Sequence, residues 1–452
     1  MKKTIRLTEG DVPALLAKLT LPMIFGMLGT VIFNMVDTFY VGMLGTTELA
    51  AMTFTFPVVL IISALAQGIG IASSTLVSKA VGENDHQKVI RYTVDSLLLA
   101  ISLVLICAVT GFFTIEPLFK LMGASDELIP HIKDYMQIWY VGTIFIVIPM
   151  VGNSAIRALG DTKTPSLVMT VSAFANMILD PIFIFGFAFI PAMGIRGAAL
   201  ATVISRATTL VVSLNVLVRK QKIVSLKFMT FQAVMDSWRK LLYIGLPNAL
   251  TKMLTPIAAA VITGLIARYG KEAVAAFGIA SKLEMFALIV AGALTTVIAP
   301  FIGQNMGAGK MERVREAIKV SEIFLMVFSA ALAVILMFFG KNLAQIFTSN
   351  SEVIQIVQGY MLIVPLCYGF QSILQINTTA YNVMNKPFMA AMIMIVRMFV
   401  LYIPLALFSV KFMGLQGIWL SMFVSFSIVS IVTHLMLKSE LKQVDVFEEV
   451  AA

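Results

Sequence analysis

Charge is what this chain has little of. Asp, Glu, Lys and Arg make up 13% of its 452 residues, about half of the roughly 25% usual in soluble domains. Most of its surface must therefore face something other than water. Cysteine is scarcer still. Cys107 and Cys367 both lie in apolar runs, which suggests neither a disulfide framework nor a metal site. The three histidines, His86, His131 and His434, sit near loops or the ends of apolar runs and disfavour a membrane metalloenzyme. The stretch GAGKM at 307–311 has Gln304 and Met311 where a phosphate-binding loop needs Gly and Ser or Thr. The chain is therefore read as no enzyme, with no cofactor and no structural metal.

What is there is apolar. The chain is 59% hydrophobic, with a mean hydropathy of +0.94. Repeated runs of about 20 or more apolar residues mark membrane spans. They must be helical, because backbone groups in lipid have to be hydrogen-bonded within the segment, and barrel strands would be short and alternating. The fold class is an all-α polytopic membrane protein with twelve spans: 14–39, 47–77, 91–114, 135–157, 165–189, 194–218, 241–267, 273–303, 317–339, 357–382, 387–409 and 414–437. The formal charge of +9 is topological rather than a nucleic-acid signal. Lys and Arg crowd the termini and the even-numbered connections, as at Lys88 and Arg91 or Lys310, Arg313 and Arg315. They thin out in the odd-numbered connections, which puts both termini in the cytoplasm. The start, MKKTIRLTEGDVPALL, leads into an apolar run too long for a signal peptide and is read as a retained cytoplasmic end.

The two halves repeat each other. LTLPMIFGML (19–28) answers IGLPNALTKM (244–253), and VGENDHQKVIRY (81–92) answers MGAGKMERVREA (306–317). Pro22 and Pro247, Gly45 and Gly270, Gly82 and Gly307, and Tyr135 and Tyr360 are each 225 residues apart. Further on the spacing shrinks, so that MGIRGAAL (193–200) answers MGLQGIWL (413–420). Each repeat has an even number of spans, so the halves share one orientation and are related by a pseudo-two-fold axis along the membrane normal. The expected organisation is an N-lobe at 1–218, a cytoplasmic linker at 219–240 and a C-lobe at 241–452. In the linker, Phe228, Phe231, Met235 and Trp238 are spaced as one helical face among Lys227, Arg239 and Lys240, which predicts an interfacial helix.

Ionisable residues inside spans are informative, because Asp at a helix centre costs roughly 2.5–3.5 kcal/mol and such groups face protein or water. Asp180 lies well inside the fifth span, in FANMILDPIFIF, and Asp37 toward the outer end of the first, in FNMVDTFYVG. By the repeat, Asp37 answers to Ile262 and Asp180 roughly to Tyr402, so the acids break the duplication. Asn176 and Asp180 share a helix face, and Pro181 frees a carbonyl near residue 177. This oxygen-rich cluster suits a proton relay or a small hard cation, the alternative being a neutral Asp braced by Asn176. In the sixth span Gly197, Ala201 and Ser205 form a small-residue face that admits a neighbouring helix, and Thr202 would add a hydroxyl. Pro22 and Pro247 open the first and seventh spans, and each could bend its helix. Glu284 either pairs with Lys282, Lys252 or Arg397 or contacts substrate. Met27 and Asn34 are further candidate contacts. The 29 methionines suit a cavity that takes varied apolar ligands.

The duplicated twelve spans with LPM, VDTFYVG, NMILDP, GAALATVISR and GQNMGAGK resemble the multidrug and toxic compound extrusion (MATE) family over roughly residues 10–437. NMILDP and the first-span acid are similar to its DinF-like prokaryotic branch. NALTKMLTP and GFQSILQINTTAY lack the acids of the NorM-like branch. The resemblance implies an inner-membrane antiporter that exports drugs, dyes and other amphipathic, often cationic, compounds by alternating access. Asp37, Asn176, Asp180 and Thr202 would be its cation-coupling residues, with Na⁺ held at Asn176 and Asp180 if Na⁺ is used. Pro22 would be the bend of the first span. Some relatives have a glutamate where Met27 stands, which favours H⁺ over Na⁺ here. The expected partners are small molecules, H⁺ or Na⁺ and the bilayer, with no nucleic acid, and the chain is expected to be a monomer. The alternative cargo is a lipid-linked or other amphipathic anionic precursor, moved past Arg206, Lys252, Lys282 and Arg397.

Overall fold

The computed structural model describes residues 7–225 and 230–451, and they are almost wholly helical. The helices are α1 (Val12–Leu44), α2 (Thr46–Gly82), α3 (His86–Leu121), α4 (Leu128–Ala158), α5 (Lys163–Phe185), α6 (Ile195–Asn215), α7 (Phe231–Ala267), α8 (Lys271–Ala287), α9 (Ile289–Gly307), α10 (Met311–Gln345), α11 (Ser351–Ile363), α12 (Tyr368–Val383), α13 (Pro387–Ile395) and α14 (Ile403–Ala451). They make twelve crossings. Helices α8 and α9 form one crossing, α11 and α12 another across a 3₁₀ turn at Val364–Cys367. α13, the π-helical turn Val396–Tyr402 and the start of α14 form the eleventh crossing, and α14 beyond Gly414, whose φ of 56° breaks the ladder, forms the twelfth. Rows of large apolar side chains face outward, Phe113 at 79% and Phe338 at 77% exposure among them. In water such surfaces would aggregate; in lipid they are solvated.

The duplication is written in the backbone as well. Left-handed residues bound helical segments at matching places: Asn84 and Gly309, Gly160 and Asn385, and Gly194 and Gly414. In two of these pairs the glycine is replaced by asparagine, the side chain that best tolerates that conformation. The turn geometry is therefore kept where the residue is not.

The described chain divides into two compact units. One is Leu21–Ala249; the other joins Leu7–Thr20 to Leu250–Ala452. The boundaries differ from the expected lobes because the start of α1 packs with the C-terminal half and the start of α7 with the N-terminal half. The expected interfacial helix over 219–240 is corrected. Val216–Lys220 continues α6 as a π-helical turn. Phe231, Met235 and Trp238 belong to the first turns of α7, while Lys227 and Phe228 lie outside the described residues. The cause is local. The Trp238 indole donates to the Asp95 carbonyl at 3.1 Å and Arg91 donates to the Ser237 hydroxyl at 3.0 Å, so this segment is bonded to α3. Pro22 and Pro247 also do not open their helices but stand inside continuous α1 and α7.

The small-residue face of α6 meets α5 as expected. A Cβ on Gly197 would lie 2.3 Å from the Phe183 carbonyl oxygen, and the Ser172 hydroxyl donates to the Ser205 carbonyl at 3.1 Å. Gly197→Ala is expected to lower the thermal midpoint of the purified protein, at a cost of about 1–3 kcal/mol. Gly264→Ala, where a Cβ would meet open space, is expected to be neutral or to gain up to about 1 kcal/mol. Thermal unfolding in detergent checks both.

Candidate functional site

The close approach of α5 and α6 sets the spacing of the polar cluster. Asn176 and Asp180, one turn apart on α5, are both completely buried, and Asp37 of α1 and Thr202 of α6 are 9% exposed. The Asn176 amide donates to the Thr202 hydroxyl at 3.4 Å. Asp37 and Asp180 lie within electrostatic reach of each other. The structure thus brings together all four residues named from the sequence as the coupling cluster.

Their bonding is incomplete. Both carboxylate oxygens of Asp180 and the amide oxygen of Asn176 are buried with no hydrogen-bond partner among the described residues. Buried acceptors are normally paired, and an unpaired one costs about 1–3 kcal/mol. Three in one place leave a strongly acceptor-rich spot that a proton or a cation would satisfy.

Two further residues stand at the cluster that the sequence marks only in other connections, Tyr135 by its repeat pairing and Arg206 as a cation for the alternative cargo. Tyr135 of α4 is buried within reach of both Asp37 and Asp180. Arg206 of α6, one turn beyond Thr202, is within reach of Asp37 and stands over the Phe33 ring at 5.5 Å. Arg206 was legible from its four-residue spacing to Thr202. Tyr135 had a quieter signal, its pairing with Tyr360 across the repeat.

α1 reaches this site packed tightly on α5. A Cβ on Gly26 would meet the Ser166 Cα at 3.0 Å, and the Ser166 hydroxyl donates to the Pro22 carbonyl. Met27 is half-buried and Asn34 exposed on the same helix. Glu284 is elsewhere, in the other unit. Its carboxylate accepts from the Tyr360 hydroxyl at 2.5 Å and from Gln371, and it feels Arg397. Lys282 is exposed. Of the cations considered beside Glu284, Arg397 is therefore the one brought near it. Arg397 itself stacks on Phe426 at 4.1 Å, in the π-helical turn Val396–Tyr402.

Comparison with known proteins decides the family. The MatE family pattern matches the chain twice, over residues 22–182 and 247–408, starting each time at a repeat-related proline. The chain belongs to the MatE family. MatE membership makes it a multi-pass transporter and not an enzyme. It is 37% identical over 422 residues to an FAD transporter of Shewanella oneidensis, covering 93% of each chain. It is 26% identical to the probable multidrug resistance protein YpnP of Bacillus subtilis, covering 94% of each. It is 25% identical to the multidrug export protein MepA of Staphylococcus aureus, over 74% of each. Among solved structures it resembles the Vibrio cholerae MATE transporter VcmN in the bent form, at 29% identity and a TM-score of 0.90, covering 96% of this chain and 97% of that one.

Asp180→Asn is expected to leave the thermal midpoint unchanged or raise it, because an amide adds a donor where three acceptor oxygens lack a well-formed partner. A fall by the equivalent of about 1–3 kcal/mol in detergent-solubilised protein would instead assign Asp180 to fixed packing.

Proposed function

We propose that the protein is an H⁺-driven exporter of amphipathic solutes in the cytoplasmic membrane of a bacterium or archaeon, with both termini in the cytoplasm. The observation that carries this reading is the buried Asp180–Asn176 pair, whose three acceptor oxygens have no well-formed hydrogen bond among the described residues. A proton on Asp180 turns one acceptor into a donor. It also removes charge from a desolvated carboxylate. Asp37 and Asp180 then titrate as a pair, with Tyr135 and Arg206 responding to their charge. Protonation from outside weakens the hold on cargo, α1 rearranges near Pro22, and release of the proton inside resets the carrier. One inward charge contributes about 2.3 kcal/mol per 100 mV and each pH unit about 1.4 kcal/mol. Together they suffice for concentration ratios on the order of 10²–10³. H⁺ is favoured over Na⁺ because position 27 is methionine and the other oxygens near Asp180, of Asn176 and Thr202, are uncharged.

For the cargo we favour an aromatic anion of the dinucleotide class. Lys252 supports this. It stands mid-way along the membrane part of α7 yet is exposed. A lysine at that depth faces a watery path rather than lipid, and there it attracts phosphate. The FAD transporter relative, with its higher identity over nearly the full length, supports the same cargo. Export of drugs and dyes is the second reading, supported by the YpnP and MepA relatives; cationic drugs would meet Lys252 unfavourably.

The test is transport in reconstituted vesicles, with a pH gradient or a Na⁺ gradient imposed separately and either FAD or ethidium as the cargo. A pH gradient alone is expected to drive FAD movement. Asp37→Asn and Asp180→Asn should each lose the pH-driven component by about 10²-fold or more, and Lys252→Ala should weaken FAD transport by about tenfold while sparing ethidium. Movement driven by neither gradient would remove the antiport reading. Ethidium without FAD would select the drug reading.

A further inference from the structure

Helix α1 does not belong to one unit: Leu7–Thr20 pack in the second unit and Leu21 onward in the first. Its foot is held by a strap, Leu7–Gly10. Leu7 is fully buried. Its N–H donates to Gln304 Oε1 at 3.3 Å, and its carbonyl accepts from Asn305 Nδ2 and Arg313 Nη2, each at 3.2 Å. The Thr8 carbonyl accepts from Lys310 Nζ at 2.9 Å and the Gly10 carbonyl from Arg313 Nη1 at 2.8 Å. The remaining guanidinium nitrogen, Arg313 Nε, donates to Asn305 Oδ1 at 3.0 Å. One guanidinium therefore grips two strap carbonyls and the asparagine that holds one of them. These donors come from GQNMGAGKMER, the stretch that failed as a phosphate loop. Its cations serve main-chain oxygens instead.

The other repeat does the equivalent. The start of α7 is bonded into the first unit through Arg91, Ser237 and Trp238. A Cβ on Gly68 of α2 would meet the Gly245 carbonyl of α7 at 2.3 Å, so the two backbones touch. From Leu250 onward α7 packs in the second unit. Each repeat thus opens with a helix whose foot is built into the other repeat's unit.

We propose that Arg313 is a positioning residue for transport. It clamps the strap so that the foot of α1 stays with the second unit throughout the cycle, while the body of α1, carrying Asp37, moves with the first. Charge-assisted bonds to carbonyls are stronger than neutral ones, so the strap is the harder end to release. The softer point is the passage from Thr20 to Leu21, next to Pro22, which has no N–H to close the helix ladder. With the foot fixed, a change at Asp37 bends α1 there instead of sliding it. This rests on Asp37 being a coupling residue.

The experiment has two arms. Cys107→Ser and Cys367→Ala provide a background for Thr8→Cys and Glu312→Cys. Spin labels on the two new cysteines are expected to give one narrow distance distribution, identical at acidic and alkaline pH. A shift or broadening with pH overturns the clamp, and this arm reads out even if pH-driven transport itself fails. In the vesicle assay with FAD or ethidium, Arg313→Ala is expected to lower turnover about tenfold, the scale of a lost charge-assisted hydrogen bond. The half-saturating concentration should stay within about twofold, and Arg313→Lys should be intermediate. Bridging the two cysteines with a bifunctional maleimide is expected to restore turnover to Arg313→Ala. Full turnover in Arg313→Ala, no rescue by the bridge, or a transport block on bridging the protein with Arg313 intact would each overturn the proposal.

Discussion

Every backbone N–H and C=O within the hydrocarbon has to be satisfied inside its own segment, and the rest of this molecule follows from that constraint. It makes the chain helical, so shape and motion are confined to places where the ladder is interrupted. Those interruptions are few and repeated: left-handed residues at Asn84 and Gly309, Gly160 and Asn385, Gly194 and Gly414. The prolines act differently. Pro22 and Pro181 remove donors without ending α1 or α5, which frees the carbonyls one turn earlier, at Lys18 and Met177. The Ser166 hydroxyl donates to Pro22's own carbonyl and so ties α1 to the helix that carries Asp180.

Against an apolar background the polar cluster is unusual in what it does not do. A structural buried acid would be matched by a cation or by donors. Arg206 lies within reach of Asp37, but Asp180 has only the Asn176 amide near it, and the three acceptor oxygens of the pair have no well-formed hydrogen bond among the described residues. The two acids therefore stand in different electrostatic settings a short way apart. That is the arrangement which separates the behaviour of paired carboxyls. Tyr135 reports on both. Its repeat partner Tyr360 bonds Glu284. Tyrosine beside an acid is thus retained in both units, although the acids come from unrelated positions.

Much of this was legible in the sequence, for definable reasons. Span number, duplication and the four residues of the coupling cluster came from apolar runs, a fixed spacing and the cost of charge in lipid, all local or periodic signals. The assignment of 231–240 failed because its amphipathic pattern fits a membrane surface and a helix start equally well. What decided between them was Trp238 and Ser237 bonding to α3, a contact more than 140 residues away in sequence. The strap was invisible for the same reason. Leu7 looks like one more residue of a basic tail, and only folding places Arg313 and Asn305 against its carbonyl. Pro22 was misplaced because proline is commonest in the first turn of a helix, and here the turns before it are stabilised by packing in the second unit.

The unequal lobes make physical sense for a carrier. A cation-coupling site needs buried acceptors whose charge is costly enough to be neutralised by a proton. A lysine placed beside the acids would pair with them and quench that response. Here Asp37 and Asp180 belong to Leu21–Ala249, and Lys252 to the unit that begins at Leu250. The chain crosses from one unit to the other between Gly245 and Lys252 on α7, and between Thr20 and Leu21 on α1. The duplication is thus broken chemically: the buried acids lie in one unit and Lys252 in the other. Helices α1 and α7 are the two that pass from one unit to the other.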